Sequence, residues 1–442
     1  MRRTPAPPVI LGNEPGSFPR SVLAERHPAI IRQVRDAFPY GPEIHRALDA
    51  LSDSCAGGVI EPLPDDAHDR DRWRDWGLDA YVGRSWFDVP WLWSESWFYR
   101  RLLHAVGYFG PGPWAGIDPF RPFKLAELDA AETDEELAAL DALADRSAGE
   151  RARALLHGSL WGNRADLGFR LSDGEAEGRA AVPGLVADDS EALWSLLASA
   201  KGGAAADDQD QDRCRDRNRY QDQDVYQDQD GPQDRSGDGG QDRNRDARGE
   251  AGVTLCLVAD NAGRELVPDL LLAAHLLGHG QCDRVVLHVK PYPYYVSDAT
   301  TADVVDALRK LARAGGTAAE HGRRLWAAMA EGVLTVRAHP FSAAPLPYAR
   351  MPDDLRAQFA AATLTIVKGD LNYRRLVGDN RWAPTTPFAE VTAYFPGPVV
   401  ALRTLKSDVI TGLDAVTEAA LVAAEGQRWR TGGTHALIQL RK

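Results

Sequence analysis

The sequence of 442 residues predicts an α/β fold: a three-layer α/β/α sandwich with a mostly parallel sheet, preceded by an N-terminal helical domain. Two observations lead to this prediction. Short apolar runs alternate with helical patterns after residue 250, whereas residues up to about 150 carry many helical patterns and few strand-like runs. We therefore expect a mainly helical domain over residues 1–150 and an α/β/α domain over residues 151–442, interrupted at 202–250.

Composition excludes several classes of protein. The formal charge of −13 argues against general nucleic-acid binding, which requires a basic face. No run approaches the about 20 apolar residues of a membrane span, and the first residues lack the apolar core of a signal peptide, so we expect a cytoplasmic protein without a membrane partner. The four cysteines lack CxxC spacing and signal neither zinc nor disulfides.

In the N-terminal region, apolar positions recur three or four residues apart in AIIRQVRDAF, EIHRALDALS and DEELAALDALADRS, which predicts helices. The tryptophan-rich stretch from Asp88 to Arg101 suits a buried helix with Pro90 in its first turn. Glu95 is out of place in so apolar a setting. Farther on, Asn163 and Asp166 fit either a local turn or support for a site, and spacing does not separate the two.

The segment at 202–250 has almost no apolar residues and alternates Asp, Arg, Gln and Gly. Such a composition cannot bury enough surface to offset the entropy lost on ordering. It predicts a disordered insertion. Its arginines are offset by aspartates, so RNA association is disfavoured.

The chain is organised around Val253 to Leu277, where an apolar strand, a polar turn and an amphipathic helix follow one another. Cys256 lies inside the strand and suits a small core position. Further strands are predicted at Arg284–Val289, Val333–Val336, Leu364–Val367 and Pro398–Leu402. Apolar strands separated by helices indicate a parallel sheet covered on both faces.

Polar clusters follow four of these strands. They are Asp260-Asn261, Ser297-Asp298, the run from Lys368 to Arg375, and Arg403-Thr404-Leu405-Lys406. In an open α/β sheet the carboxyl ends of parallel strands share one edge, where ligands bind, so we expect the clusters to converge. Taken alone, an Asp-Asn pair more often caps the following helix, and only the other clusters favour a functional role for Asp260 and Asn261.

The clusters together combine oxygen ligands with cations. Asp260, Asn261 and Asp298 offer carboxylate and carbonyl oxygens, which Mg²⁺ and Mn²⁺ prefer. Arg374 and Lys406 beside such an ion would complete a phosphate site, because a phosphoryl group transfers most readily where its charge is neutralised. His275, His288 and His339 lie within predicted elements or apart from these motifs and are expected to be structural.

These motifs resemble those of the damage-control phosphatase family, formerly the domain of unknown function DUF89. The resemblance rests on Asp260-Asn261-Ala262-Gly263 with Glu265, Ser297-Asp298, Lys368-Gly369-Asp370-Leu371-Asn372-Tyr373-Arg374, and the closing RTxK motif at Arg403–Lys406. RTxK is typical of the subfamily that includes acidic-residue methyltransferase-like proteins. The stretches around Glu95 and around Asn163 and Asp166 are similar to that subfamily as well.

The resemblance implies a metal-dependent phosphatase acting on small phosphorylated metabolites, such as fructose 1-phosphate and fructose 6-phosphate, with Mn²⁺, Ni²⁺, Co²⁺ or Mg²⁺. It assigns the metal and the catalysis to Asp260, Asn261 and Asp298. The substrate would be held by Glu265, Asp298, Asp370, Leu371, Asn372, Tyr373, Arg374 and Lys406. Supporting positions would be Glu95, Asn163, Asp166, Lys368 and Arg403.

Two departures and two alternatives accompany this hypothesis. Arg264 stands where the subfamily usually has an aromatic residue, which would alter substrate preference, and the 202–250 segment is foreign to the pattern.

The first alternative function is a carboxyl methyltransferase using S-adenosylmethionine. It is disfavoured because no strand is followed by a GxGxG loop. The second is a non-catalytic protein that binds phosphorylated metabolites. Nothing in the sequence assigns an oligomeric state.

Overall fold

A computed structural model describes residues 7–162, 184–202 and 252–442 of the chain. The predicted disordered insertion at 202–250 lies, apart from Gly202, outside the described residues. Within the described residues, no helix is both long and apolar enough to cross a membrane.

One sheet of seven strands forms the centre of the described structure. The strands are β1 Leu185–Asp188, β2 Thr254–Val258, β3 Arg284–His288, β4 Leu334–Arg337, β5 Leu364–Lys368, β6 Val399–Thr404 and β7 Ala436–Arg441. Their spatial order is β1-β7-β6-β5-β2-β3-β4. β2 to β6 are mutually parallel, whereas β7 pairs antiparallel with β6 and parallel with β1. The prediction of a mostly parallel sheet is confirmed.

The order of the strands creates a switch point between β2 and β5. From β2 the chain proceeds to β3 and β4 on one side, and then returns to place β5 and β6 on the other. The loops after β2 and β5 therefore leave in opposite directions and open a crevice at the carboxyl edge of the sheet.

Helices precede the sheet and cover it. The N-terminal region contains α1 Phe18–Ser21, α2 His27–Ala37, α3 Pro42–Gly57, α4 Arg70–Asp75, α5 Leu78–Tyr81, α6 Trp91–Ala105, α7 Arg121–Leu128, α8 Ala131–Ala139 and α9 Ala148–Trp161, with a π-helical turn at Val22–Arg26 between α1 and α2. The remainder contains α10 over 190–202, α11 Leu266–Gly278, α12 Thr301–Arg313, α13 Gly316–Ala330, α14 Asp353–Ala360, α15 Gly369–Val377, α16 Phe388–Val391 and α17 Ala415–Glu425.

Alternate residues of each strand enter different cores, as expected for a sheet buried on both faces. Leu255 and Leu257 of β2 pack with α9, α11, α12 and α13, while Cys256 and Val258 pack with α14 and α15 on the opposite face. The three-layer α/β/α arrangement is therefore confirmed. Cys256 is a buried core residue, as expected.

The N-terminal helices have a core of their own, rich in aromatic side chains. Trp73, Trp86, Trp93 and Trp97 are buried in it, and α6 is buried on nearly all sides. The N-terminal helical region is confirmed. The division into domains at residue 150 stays a prediction, and in the structure that residue lies within α9, which packs against α11.

Candidate active site at the sheet edge

The loop after β3 brings Asp298 back to the end of β2. The backbone N–H of Ala262 donates to the Ser297 carbonyl (2.6 Å), and that of Ala299 donates to the Asp260 carbonyl (2.9 Å). This short antiparallel pairing places Asn261 opposite Asp298. Residues almost forty positions apart in the chain thus share one corner of the sheet edge.

A cavity of about 210 Å³ lies at this corner. Among the predicted site residues, its walls include Asp260, Asn261, Glu265, Asp298, Asp370, Leu371, Arg374, Lys406 and Glu95. The cavity occupies the crevice between β2 and β5, the position at which open α/β sheets bind ligands.

The turn from β5 into α15 is built around the Asp260 carboxylate. Gly369 has φ +81°, and a Cβ at this position would collide with Asp260 Oδ2. Only glycine combines this backbone conformation with so close an approach. Asp260 is therefore held against the first turn of α15.

Asp260 is a buried carboxylate to which no described residue donates a hydrogen bond. It is 7% exposed, and within the described residues its two carboxylate oxygens accept no hydrogen bond. Burial raises its pKa well above the usual value, and the neighbouring carboxylates of Glu265 and Asp298 raise it further. A site that concentrates negative charge in this way favours a cation.

Asp298 is also buried, but two lysines anchor it. Burial raises its pKa to about 6, although Lys290, whose Nζ lies 3.3 Å from Asp298 Oδ2, favours the charged form. Lys124 of α7 donates to the Asp298 carbonyl (2.9 Å) and to Asp303 (2.9 Å) at the start of α12. The position of Asp298 is thus fixed through both its carboxylate and its backbone.

The motif after β5 divides between the cavity and the core. Asp370, Leu371 and Arg374 line the cavity, whereas Asn372 and Tyr373 do not. The Asn372 amide donates to the carbonyls of Ala259 and Lys368 (3.0 Å each), and so joins the ends of β2 and β5. The Tyr373 hydroxyl donates to Gln439 of β7 (3.0 Å). Both side chains therefore hydrogen-bond to the sheet and stabilise the edge that carries the cavity.

The guanidinium of Arg374 pairs with two carboxylates. Its guanidinium donates to Glu95 (2.8 Å) and to both oxygens of Asp379 (2.8 and 3.0 Å). It also lies over the Trp91 ring, 3.4 Å from the ring centre. Although burial alone would lower its pKa, the two carboxylates raise it well above the usual value. Glu95, the residue out of place in an apolar helix, is the partner that reaches Arg374 from α6.

The RTxK motif places its two cations differently. Arg403 is fully buried and lies 2.7 Å from Asp370 Oδ1, which also accepts from the Ser407 hydroxyl (3.0 Å). Lys406 instead reaches the cavity, with Nζ 3.4 Å from Glu265 Oε1. Burial opposes its charge, but Glu265, Asp260 and Asp370 outweigh burial and raise the pKa of Lys406. Arg403 therefore orients Asp370, and Lys406 carries the available charge.

Two other residues that the sequence singled out, Lys368 and Arg264, do not line the cavity. Lys368 Nζ pairs with Asp269 of α11 (3.0 Å) and contacts Ser159 of α9, which fastens the end of β5 to two helices. Asn163 and Asp166 lie outside the described residues. Arg264 pairs with Glu136 of α8 and does not line the cavity.

Sequence reasoning missed several residues of the cavity wall, among them Arg26, Trp91, Glu127 and Tyr295. Tyr295 has a positive φ of 53° and donates to Glu95 (3.0 Å). Strained non-glycine residues of this kind concentrate at functional sites. Its tyrosine-rich loop was a visible signal, whereas Arg26 and Glu127 lie in ordinary helical sequence.

The donor set is suited to a hard divalent cation. Among the described residues, no group of three or more His, Cys, Asp or Glu side chains is placed to hold a metal ion. The predicted set instead has two carboxylates and one carboxamide, all oxygen donors, and the Ser297 hydroxyl orients the amide by donating to Asn261 Oδ1 (2.7 Å). Because the described residues offer the Asp260 carboxylate no hydrogen-bond donor, the residues present fit such an ion.

An open α/β sheet with a cavity of carboxylates and lysine at its switch point has the arrangement that is typical of α/β proteins with a ligand site at this edge. The chain belongs to the damage-control phosphatase ARMT1-like domain family, whose model matches residues 22–208 and 242–422. The family indicated by the motifs is thereby confirmed.

Relatives of nearly the same length are similar to the whole chain. Damage-control phosphatase ARMT1 of Danio rerio is 27% identical over 479 residues, covering 96% of this chain and 94% of the relative. The Homo sapiens protein of the same name is 27% identical and covers 96% and 97%. A crystal structure of a DUF89 family protein from Pyrococcus horikoshii aligns with a TM-score of 0.43 and 13% identity, over 87% of this chain and 92% of that one.

Proposed function

We propose that this chain is a divalent-metal-dependent phosphomonoester hydrolase acting on small sugar phosphates such as fructose 1-phosphate or fructose 6-phosphate. Membership of a damage-control phosphatase family supports phosphatase activity in general. One observation carries the finer proposal: Asp260, Asn261 and Asp298 meet at the switch point, with Lys406 in the same cavity. A cytoplasmic location remains a sequence-based prediction.

Asp260, Asn261 and Asp298 would hold the metal ion, which we expect to be Mn²⁺, Ni²⁺, Co²⁺ or Mg²⁺. When bound, such an ion supplies Lewis-acid polarisation of a phosphoryl oxygen. The protein contributes the fixed placement of the ligands: Gly369 positions Asp260, Ser297 orients Asn261, and Lys290 and Lys124 secure Asp298.

Lys406 and Arg374 would balance the remaining phosphoryl charge. Lys406 pairs with Glu265 at 3.4 Å, so its ammonium can turn to a phosphate oxygen, whereas Arg374 is held by two carboxylates and contributes chiefly through its field. Glu265 and Asp370 would accept hydrogen bonds from substrate hydroxyls, and Leu371 would contribute apolar contact. Asn372 and Tyr373 would act indirectly, by fixing the strand ends.

Phosphate release from fructose 1-phosphate, fructose 6-phosphate and p-nitrophenyl phosphate tests the proposal, with each of the four metals and with a chelator. We expect activity only with metal. Asp260→Asn should reduce kcat about 10³-fold or more, because metal ions supply several kcal/mol of transition-state stabilisation. Asp36→Asn, an exposed change on α2, is the matched control.

Two results would contradict the proposal. Full activity of Asp260→Asn would show that the site is misplaced. Binding of S-adenosylmethionine by calorimetry without added metal, together with no phosphate release, would favour the methyltransferase alternative instead.

A further inference from the structure

A second cavity of about 320 Å³ adjoins the proposed phosphate site. Four residues line both cavities: Arg26, Glu127, Val296 and Ser297. Ser297 precedes Asp298 and donates to Asn261, so the boundary between the cavities lies directly beside the proposed metal ligands. The first cavity alone is smaller than the about 300–1,000 Å³ of typical small-molecule sites, and the second extends it into that range.

One helical stretch, from Phe18 to Gln33, lines both cavities. Phe18, Val22 and Arg26 recur four residues apart and face the first cavity, while Arg26, Ile30 and Gln33 face the second. Val22 and Arg26 both belong to the π-helical turn at Val22–Arg26, and the next residue, His27, is buried with its ring stacked on Phe98. π-Turns inside helices are frequent at functional sites because they shift side chains by one register position. Arg26 thus lies at the junction.

Helix α7 contributes to the walls of both cavities. Glu127 of this helix lines both cavities, as Arg26 does, and Lys124 lies one turn earlier. Lys124 is buried and fully engaged by Asp118, Asp303 and the Asp298 carbonyl, so it fixes the wall rather than binding a ligand. The second cavity is therefore rigidly joined to Asp298.

Three polar side chains that line the second cavity are available to bind a ligand. Within the described part of the chain, the side chains of Arg26, Glu127 and Gln33 make no hydrogen bond or salt bridge. Arg26 donates hydrogen bonds, Glu127 accepts them, and the Gln33 amide does both. A hydroxyl group, which also donates and accepts, satisfies all three, whereas a second anionic group would meet Glu127 unfavourably.

We infer that the second cavity is a subsite for the neutral, polyhydroxylated part of a phosphomonoester, with Arg26 and Gln33 as residues that determine specificity. The inference rests on the proposed function and deepens it. The phosphoryl group occupies the cavity of Asp260 and Lys406, and the hydroxylated chain extends past Ser297 between Arg26 and Glu127.

The test compares kcat/KM for fructose 6-phosphate with kcat/KM for p-nitrophenyl phosphate, which has no hydroxyl groups, in Arg26→Ala and Gln33→Leu. We expect the ratio of the two values to fall about tenfold in Arg26→Ala, since hydrogen bonds to a charged group are the stronger ones, and less in Gln33→Leu. Arg32→Ala is the matched control, being an exposed arginine of α2 that lines neither cavity.

Calorimetry gives a second readout that needs no turnover. With Mn²⁺ present at a saturating concentration, fructose 6-phosphate should bind Asp260→Asn more tightly than it binds the double variants that also carry Arg26→Ala or Gln33→Leu. Ratios equal to those of Arg32→Ala, and affinities equal to that of Asp260→Asn combined with Arg32→Ala, would overturn the subsite while leaving the phosphatase intact. A wild-type protein that hydrolyses p-nitrophenyl phosphate but no sugar phosphate would also overturn it, whereas failure on all phosphomonoesters would refute the proposed function itself.

Discussion

At the scale of single residues, burial of the Asp260 carboxylate lowers the stability of the folded protein. It is buried beside Glu265 and Asp298, and burial with those neighbours raises its pKa. An ionised carboxylate in such a setting destabilises the folded chain at neutral pH, because the unfolded chain solvates it fully. We expect Asp260→Asn to raise the melting temperature in a chelator at pH 7.5 while it abolishes activity.

Metal addition provides the complementary measurement. An ion that binds only the folded state raises the melting temperature of the wild type by mass action, and it should raise that of Asp260→Asn far less. Unchanged or lower stability of the variant in chelator would show that the Asp260 carboxylate has compensating contacts.

The buried side chain of His27 should lower the stability of the folded protein at acidic pH. It is completely buried, its two ring nitrogens have no hydrogen-bond partner among the described residues, and its ring stacks on Phe98 with centres 3.7 Å apart. Burial, with a contribution from Arg26, lowers its pKa to about 3 from 6.5. The folded state therefore excludes a proton that the unfolded state binds, and stability is lost as the pH falls from 6.5 towards 3.

His27→Phe keeps the stacked ring and removes the titration. Between pH 6 and pH 4.5, its free energy of unfolding should fall less steeply than that of the wild type, by about 1.4 kcal/mol per pH unit for one proton. Urea unfolding at a series of pH values measures the slopes, and equal slopes would rule out His27 as the source.

The roles of individual residues were only partly visible in the sequence. Motifs marked Asp260, Asp298 and Lys406 because polar groups after apolar strands are unusual. Arg26 and Glu127 carry no such mark, since charged residues on amphipathic helices are ordinarily solvent-facing. Their placement depends on how the N-terminal helices pack over the sheet edge, which no local pattern records.

At the scale of elements, the turn between β5 and α15 determines the site. Gly369→Ala should strain the backbone by about 1–2 kcal/mol because φ is positive, and it should also displace Asp260, with which a Cβ would collide. We expect lower stability together with a large loss of metal-dependent activity.

Gly426→Ala separates strain from collision. Gly426 has φ +67° at the end of α17, and none of the described atoms would lie within 4 Å of a Cβ added there, so this variant carries strain alone. It should lose similar stability but keep full activity. Equal activities of the two variants would show that Asp260 does not depend on Gly369.

Five strands were predictable because each is an apolar run before a helix. β1 and β7 were not predicted. β1 is four residues long and only partly buried, and β7 follows a turn-rich stretch and joins the sheet antiparallel, outside the alternation of strand and helix. Their pairing depends on contacts distant in sequence rather than on local periodicity.

At the scale of the whole molecule, the N-terminal helices complete the site. Glu95 of α6 pairs with Arg374 of α15, and Asp379 accepts from the Leu92 backbone as well as from Arg374. Leaving a buried charge without any compensating partner costs about 3–5 kcal/mol, but Asp379 would still pair with Arg374, so Glu95→Ala should cost about 3 kcal/mol of unfolding free energy, the lower end of that range. Activity should fall as well, since Arg374 and Tyr295 lose their common partner.

Glu61→Ala is the control for this prediction. Glu61 pairs with Arg101 at 2.8 Å, but its side chain is 56% exposed. Exposed pairs contribute about 1 kcal/mol or less. Denaturant unfolding of the two variants should therefore differ by several-fold in cost, and similar costs would indicate that the N-terminal helices and the sheet are only loosely coupled.

Among the described residues, the walls of the first cavity carry six carboxylates and three cationic side chains. This excess of carboxylates would repel a phosphate dianion, and a bound divalent ion would remove most of the excess negative charge. Steady-state kinetics should consequently follow a compulsory sequence, with the ion arriving before the phosphomonoester, and excess substrate should not compete with the ion for the empty protein.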